Sequence, residues 1–337
     1  MISFIIQGPT HGAPEFDSDY GKIASMHAMS KWTGQSVVQT DYTFTSQDSI
    51  DSLRKWYPGC EIIISCSTGD ADDLKDVDQL FYYGEDLPDG QGLNKQILTS
   101  QAVKHATYDI VCKIRSDMVA GSNDLLWYVR NELESRQRYK RNEKYAMFKR
   151  FVFVLNYFSY VGLLYHPSDW MFLGLKEDVQ SIFDIPLDSE DSGWAVGPEQ
   201  YMCLRCMENN GFEKYIDYEW VTKKASSTDT QGRSKDVAKN NIAHDKVEYA
   251  KHDWWNVFYN NFYVLNTGWY PRKLTAKQKE VISNMESQMN AQQWYHGPGQ
   301  SGLMCQKYPH RVGSSNVDII NHIEWAKEHW KRVGARS

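Results

Sequence analysis

Apolar positions along the chain fall into short dense runs separated by amphipathic stretches. Residues 2–6 form one run, and EIIISCS at 61–67 a second. LFYYGED at 80–86 is a third, and YDIVCKIRSDM at 108–118 a fourth. Runs of this length rich in Ile, Val, Phe and Tyr predict strands. Between them, SQDSIDSLRKWY at 46–57 places Ile50, Leu53 and Tyr57 on one side and then meets Pro58-Gly59, which predicts a helix and its stop. Asn94 predicts the cap of a helix through 95–106, with Leu98, Ala102 and Ala106 at four-residue spacing. Strand–helix alternation over residues 1–118 predicts an α/β half built on a largely parallel sheet.

The pattern changes after residue 120. A helix is expected near 122–135, a strand in DWMFLG at 169–174, and a helix in KEDVQSIFD, ended by Pro186. A further helix begins at Pro198, a favoured first helical position, and ends at Gly211. Residues 222–252 are polar and irregular, as a mobile loop or lid would be. DWWNVFYNNFYVLNTGWY then packs eight aromatics into 18 residues. Thr275 and Gln278 predict a capping box leading a helix striped by Ile282, Met285 and Met289. A last helix near 317–333 sets Ile319, Ile323, Ala326, Trp330 and Val333 on one face. The Met and aromatic stripes read as core.

A net charge of −6 argues against broad nucleic-acid binding, which needs a basic footprint. Locally, residues 136–150 carry seven Lys or Arg against one Glu. Such a run is usually a solvated face. The sharper reading is docking to anionic lipid headgroups or to a phosphorylated substrate, a peripheral membrane contact through 136–150. The longest apolar stretch, 151–165, contains Asn156 and Ser159 and falls short of a membrane span. The chain opens on a strand-like segment, so a cytoplasmic location and reduced thiols are expected for its six cysteines. Cys203 and Cys206 form a C-x-x-C with no second pair at zinc-site spacing, and read as helix packing. Aromatics at 14% fit a Tyr-rich core, or sugar binding through flat rings.

Candidate chemistry gathers at strand ends and helix starts. The fourth run ends in Lys113, Arg115, Ser116 and Asp117. Ligands of open α/β sheets bind outside the carboxyl ends of strands. Two cations and an acid there suit a phosphate, a metal ion or both; the alternative is an Arg115–Asp117 pair bracing a loop. Gln7-Gly8-Pro9 follows the first strand, and His166-Pro167-Ser168-Asp169 leads into the 169–174 strand. Glu199 and Gln200 open a helix, where Glu199 could simply complement the helix dipole. No Walker, G-x-G-x-x-G, H-E-x-x-H or G-x-S-x-G pattern is present.

ISFIIQGP, SLRKWYPGCEIIIS, LNKQILTS, CKIRSDM, HPSDWMFLGLKEDVQSIFDIPL, PEQY and NNFYVLN, in this order, resemble the WavE family of lipopolysaccharide-synthesis proteins. The resemblance implies a GT-A-like nucleotide-binding sheet flanked by helices and merged with an aromatic-rich acceptor region. It implies a nucleotide-sugar-binding half over 1–120, an acceptor-binding and catalytic half over 121–270, and a C-terminal helical segment over 271–337. Donor binding falls to Gln7, Gly8, Pro9, Asn94, Lys95, Gln96, Lys113, Arg115, Ser116 and Asp117. Asp117 stands alone where a D-x-D motif has two acids, which leaves two alternatives: Mn²⁺ or Mg²⁺ held at Asp117, or Lys113 and Arg115 neutralising the diphosphate without a metal. His166, Ser168 and Trp170 fall to the acceptor, with Glu199 as first and Asp169 as second catalytic carboxylate.

The resulting expectation is a glycosyltransferase moving a sugar from a nucleotide donor to a hydroxyl of a glycan or lipid-linked glycan. The alternative is a non-catalytic carbohydrate-binding or scaffold protein of polysaccharide assembly, with the aromatic segment 253–270 as its binding face.

Overall fold

A computed structural model describes residues 1–10, 45–66, 71, 73–83, 92–116, 118–120, 122–134, 141–155, 165–188, 196–218, 221, 253–265 and 270–271. In chain order the elements are β1 (Ser3–Gln7), α1 (Ser46–Trp56), β2 (Glu61–Cys66), β3 (Gln79–Tyr82), α2 (Leu93–Ser100), β4 (Ile110–Arg115), β5 (Met118–Val119) and α3 (Leu125–Tyr128). Then come β6 (Val152–Leu155), β7 (Met171–Leu175), α4 (Lys176–Phe183), α5 (Pro198–Asn209), α6 (Trp254–Asn261), β8 (Phe262–Leu265) and β9 (Tyr270–Pro271). Seven strands form one sheet in the order β3-β2-β1-β4-β7-β6-β8, while β5 and β9 pair separately. The β3-β2-β1-β4 half is parallel, and β7 is antiparallel to both β4 and β6. An α/β sheet flanked by helices is the architecture expected. One sheet also runs through both expected halves of the domain.

Alternation sorts the core onto two faces. Phe4, Ile6, Ile62, Ile64, Cys112 and Ile114 pack on one face with Ile50 and Leu53 of α1. Ile5, Ile63 and Val111 point to the other face, against Ile97 of α2 and helices α4, α5 and α6. Strands buried on both faces read as continuous apolar runs, which is why β1, β2 and β4 were legible.

Several expectations shift. Gly92, at φ 72°, caps α2, and Asn94 lies inside its first turn. The α-helix stops at Ser100 and continues as a 3₁₀ turn over Gln101–His105. Near 122–135 there is one α-turn followed by a π-turn over Val129–Leu133. β6 lies inside the long apolar stretch, and α6 inside the aromatic segment. Trp254, Phe258, Phe262 and Tyr263 are buried, so these rings build core and do not form a sugar-binding face. The expected lid and the two C-terminal helices lie outside the described residues.

The basic run is also not one solvated face. Arg141 donates to the carbonyls of Asn260 and Phe148, both at 2.6 Å, and to Asn261 Oδ1 at 3.2 Å. Its guanidinium lies 5.4 Å from the Phe151 ring centroid, and burial lowers its pKa to about 10. Arg141 therefore clamps α6 to the segment before β6, which engages its guanidinium within the fold. Lys144 and Lys149 remain at the surface, and residues 136–140 lie outside the described residues. Among the described residues no helix is long and apolar enough to cross a membrane.

Candidate functional site

Chain order dictates where a ligand can sit. From β1 the chain moves outward to β2 and β3, then returns to place β4 on the opposite side of β1. The crevice at such a reversal, outside the carboxyl ends of the strands, is where open α/β sheets bind ligands. Gln7 ends β1 there, in register with Ser65 of β2 and Arg115 of β4. Because β7 is antiparallel to β4, pairing Met171 with Ile114, the 165–170 segment arrives at the same edge. The amide of Arg115 donates to the Trp170 carbonyl at 3.2 Å, joining the two segments.

The strand ends are packed closely. Gly8 has φ +122°, and a Cβ on it would meet Ser116 Oγ at 2.9 Å. The Ser116 amide donates to the Gln7 carbonyl at 2.9 Å. Ser49 of α1 reaches the Ser116 carbonyl at 3.1 Å and also bonds the Met118 carbonyl, while the Ala120 amide donates to Ser52 Oγ at 3.0 Å. A serine pair on α1, Ser49 and Ser52, thus holds the turn after β4. Its three-residue spacing is visible in the sequence.

The 165–170 segment is anchored at its start by Tyr165, buried and at φ 59°. That conformation is unusual for a bulky residue and persists only where the surroundings hold it. The Tyr165 hydroxyl donates to the Tyr215 carbonyl at 3.2 Å and accepts from the Asp217 amide at 2.8 Å. No sequence signal pointed to Tyr165. Ser168 is buried and accepts from the Trp170 amide at 3.3 Å, so it braces the turn.

Asp169 is the centre of the cluster. Gln96 of α2 donates through Nε2 to Asp169 Oδ2 at 2.5 Å. Lys113 donates through Nζ to the Asp169 carbonyl at 2.7 Å. Lys113 is wholly buried, its ammonium 5.9 Å and 5.7 Å from the Phe172 and Phe183 ring centroids. It touches the site through Asp169 and presents no charge to solvent. Arg115 is the cation at the rim, half-buried, with its guanidinium 4.7 Å from the Trp170 ring centroid. Asp169 Oδ1 is buried and meets no hydrogen-bond partner among the described residues, and the same holds for Gln7 Oε1.

Glu199 enters from the first turn of α5, whose Gly197 amide donates to Gln200 Oε1 at 3.1 Å. Its Oε2 lies 3.7 Å from His166 Nε2. Two effects compete at Glu199. Burial and the neighbouring charge of Asp169 raise its pKa, while its own backbone hydrogen bond, Arg115 and Lys113 lower it. Burial wins, although one edge keeps 21% of the side chain exposed, and the carboxyl is pushed up to about 8.

The structure therefore brings together Gln96, Lys113, Arg115, His166, Asp169, Trp170 and Glu199, with Gln7, Gly8 and Ser116 at adjoining strand ends. Pro9 and Lys95 are exposed. Asn94 is engaged elsewhere: its side-chain amide donates to the Asp188 carbonyl at 2.9 Å and accepts from the Asp188 amide at 2.7 Å. Asp117 lies outside the described residues, and with it the expected metal position. Among the described residues no three His, Cys, Asp or Glu side chains cluster as metal ligands would.

Two solved structures share a distant likeness. One is a protein of Desulfovibrio desulfuricans G20 provisionally described as a nucleotide-diphospho-sugar transferase, 11% identical, with TM-score 0.31 over 71% of this chain and 94% of that one. The other is S. aureus TarS 1–349, 11% identical, with TM-score 0.28 over 98% of this chain and 91% of that one. Among proteins of curated function, none matches. The family model for WavE lipopolysaccharide synthesis matches residues 36–308. That span begins after the ISFIIQGP block and extends past the last block that carried the resemblance. With most of its length matched, the chain belongs to the WavE lipopolysaccharide synthesis family.

Proposed function

We propose that the protein is a glycosyltransferase that moves a sugar from a nucleotide-sugar donor to a hydroxyl of a lipopolysaccharide-type glycan. The observation that carries this reading is the meeting of Arg115, Asp169 and Glu199 at the reversal of strand order, in a family assigned to lipopolysaccharide synthesis. The leaving nucleoside diphosphate gains charge as the glycosidic bond breaks, and a fixed cation at the rim stabilises it. Arg115 is suited to that part, since a planar guanidinium can meet phosphate oxygens in pairs. A glycan hydroxyl is a weak nucleophile until a base takes its proton. Glu199, with its pKa pushed up to about 8, is matched to that task near neutral pH. Asp169 Oδ1, buried with no hydrogen-bond partner among the described residues, would accept a hydrogen bond from a sugar hydroxyl. Mn²⁺ or Mg²⁺ at Asp117 belongs to the same proposal and would supply further positive charge for the diphosphate.

The test is transfer from radiolabelled UDP-, GDP-, CMP- and ADP-sugars to lipopolysaccharide core acceptors, each with and without Mn²⁺. The reading expects label in the acceptor with one donor class, lost in Glu199→Gln. Glycan binding with no nucleotide binding and no transfer would leave the non-catalytic reading.

A further inference from the structure

We propose that Gln96 is a positioning residue, whose side-chain amide fixes the Asp169 carboxylate so that Oδ1 is the oxygen presented to substrate, and that Lys113 holds the same residue from below. This rests on the reading above, in which Asp169 touches a sugar hydroxyl, and deepens it. The geometry is specific. Asp169 is 6% exposed, its Oδ2 is taken by Gln96 Nε2 at 2.5 Å, and its backbone carbonyl by Lys113 Nζ at 2.7 Å. Two elements, α2 and β4, thus grip one residue, and one carboxylate oxygen is left over. A buried acceptor without a partner loses the hydrogen bonds that water gave it, so a ligand hydroxyl donating to Oδ1 restores that bond. Lys113 suits a hidden anchor because its flexible stem can carry the ammonium past Phe172 and Phe183 to the Asp169 carbonyl. Gln96 accordingly acts on turnover through Asp169 and makes no donor contact of its own.

Two variants separate positioning from donor binding. Gln96→Leu removes the donor group. Gln96→Glu keeps the shape, but can bridge to Asp169 only while the two carboxyls share a proton. The charged and titratable neighbours, Lys113 on Asp169 and Arg115 and His166 around Glu199, are unchanged in both variants, so comparing the two isolates the 96–169 pair. Gln96→Leu should lower kcat for sugar transfer by about tenfold or more at every pH, with unchanged affinity for the nucleoside diphosphate. Gln96→Glu should approach wild-type kcat at acidic pH and fall away from it as pH rises, because the second ionisation sets two like charges against each other. A crystal structure of Gln96→Leu should show the Asp169 carboxylate turned from its wild-type orientation. The inference is overturned if Asp169 keeps that orientation, or if nucleotide affinity falls in step with turnover. A wild-type protein that binds no nucleotide would instead defeat the glycosyltransferase reading, and the Gln96→Leu structure would still decide whether Gln96 orients Asp169.

Discussion

Glu199 carries the clearest pH signature of any single residue. Its ionised form is disfavoured by the fold, with the pKa raised from 4.5 to about 8. The kcat/KM of the free enzyme should therefore rise with pH, reach half its plateau near pH 8 and level off above it, and Glu199→Gln should lower kcat roughly 10²–10⁴-fold and remove that limb. Stability gives a check without substrate. A carboxyl with a raised pKa costs nothing below about pH 4.5, and its cost grows as pH climbs towards 8. Tm measured across that window should move in favour of Glu199→Gln as pH rises; a constant Tm difference would contradict the shift. At Gly8, alanine would meet Ser116 Oγ at 2.9 Å and also occupy a strained φ of +122°. Gly8→Ala should cost on the order of 1–3 kcal/mol, and adding Ser116→Ala should recover only part of it, since the backbone strain remains. Both carboxylates were legible from their places at a strand start and a helix start. The direction of the Glu199 shift was not, because helix dipole and burial oppose each other and only the packed walls decide. Lys113 read as a phosphate cation because a charge in an apolar run points to an edge; its long stem instead lets it bury beneath Asp169.

Among elements, α6 and the segment before β6 depend on one cation. Arg141→Met should leave the Asn260 and Phe148 carbonyls unpaired and cost about 1–3 kcal/mol in urea unfolding, whereas neutralising the exposed Lys144 should change stability little. Equal unfolding midpoints for Arg141→Met and wild type would remove the clamp. While the clamp holds Arg141, vesicle binding through the basic run falls to its other residues. Amphipathic elements with clear stops, such as α1 before Pro58 and α5 between Pro198 and Gly211, were readable because period and punctuation agree. α6 was not, since eight residues rich in aromatics suit a strand as readily as a short helix. Nor was the π-turn at Val129–Leu133, which tertiary packing selects over the continuous helix that its sequence allows.

For the whole molecule, β1, β2, β3, β4 and β7 were legible as strands while β6 and β8 were not, and strand order was not legible at all, because period-two burial says which residues pair inward without saying with which neighbour. The order matters most, for it sets the reversal between β1 and β4 where Gln7 and Arg115 stand in register. The central claim is that this crevice holds the diphosphate of a nucleotide-sugar. The most direct measurement is a thermal-shift titration with UDP, GDP, ADP and CMP, with and without Mn²⁺, on wild type and Arg115→Leu. One of UDP, GDP and ADP should raise the wild-type Tm in a concentration-dependent way, while CMP, with a single phosphate, should not, and Arg115→Leu, folded and of similar basal Tm, should lose that response. A wild type that answers to none of the three diphosphates, or an Arg115→Leu variant that binds as tightly as wild type, would contradict the account.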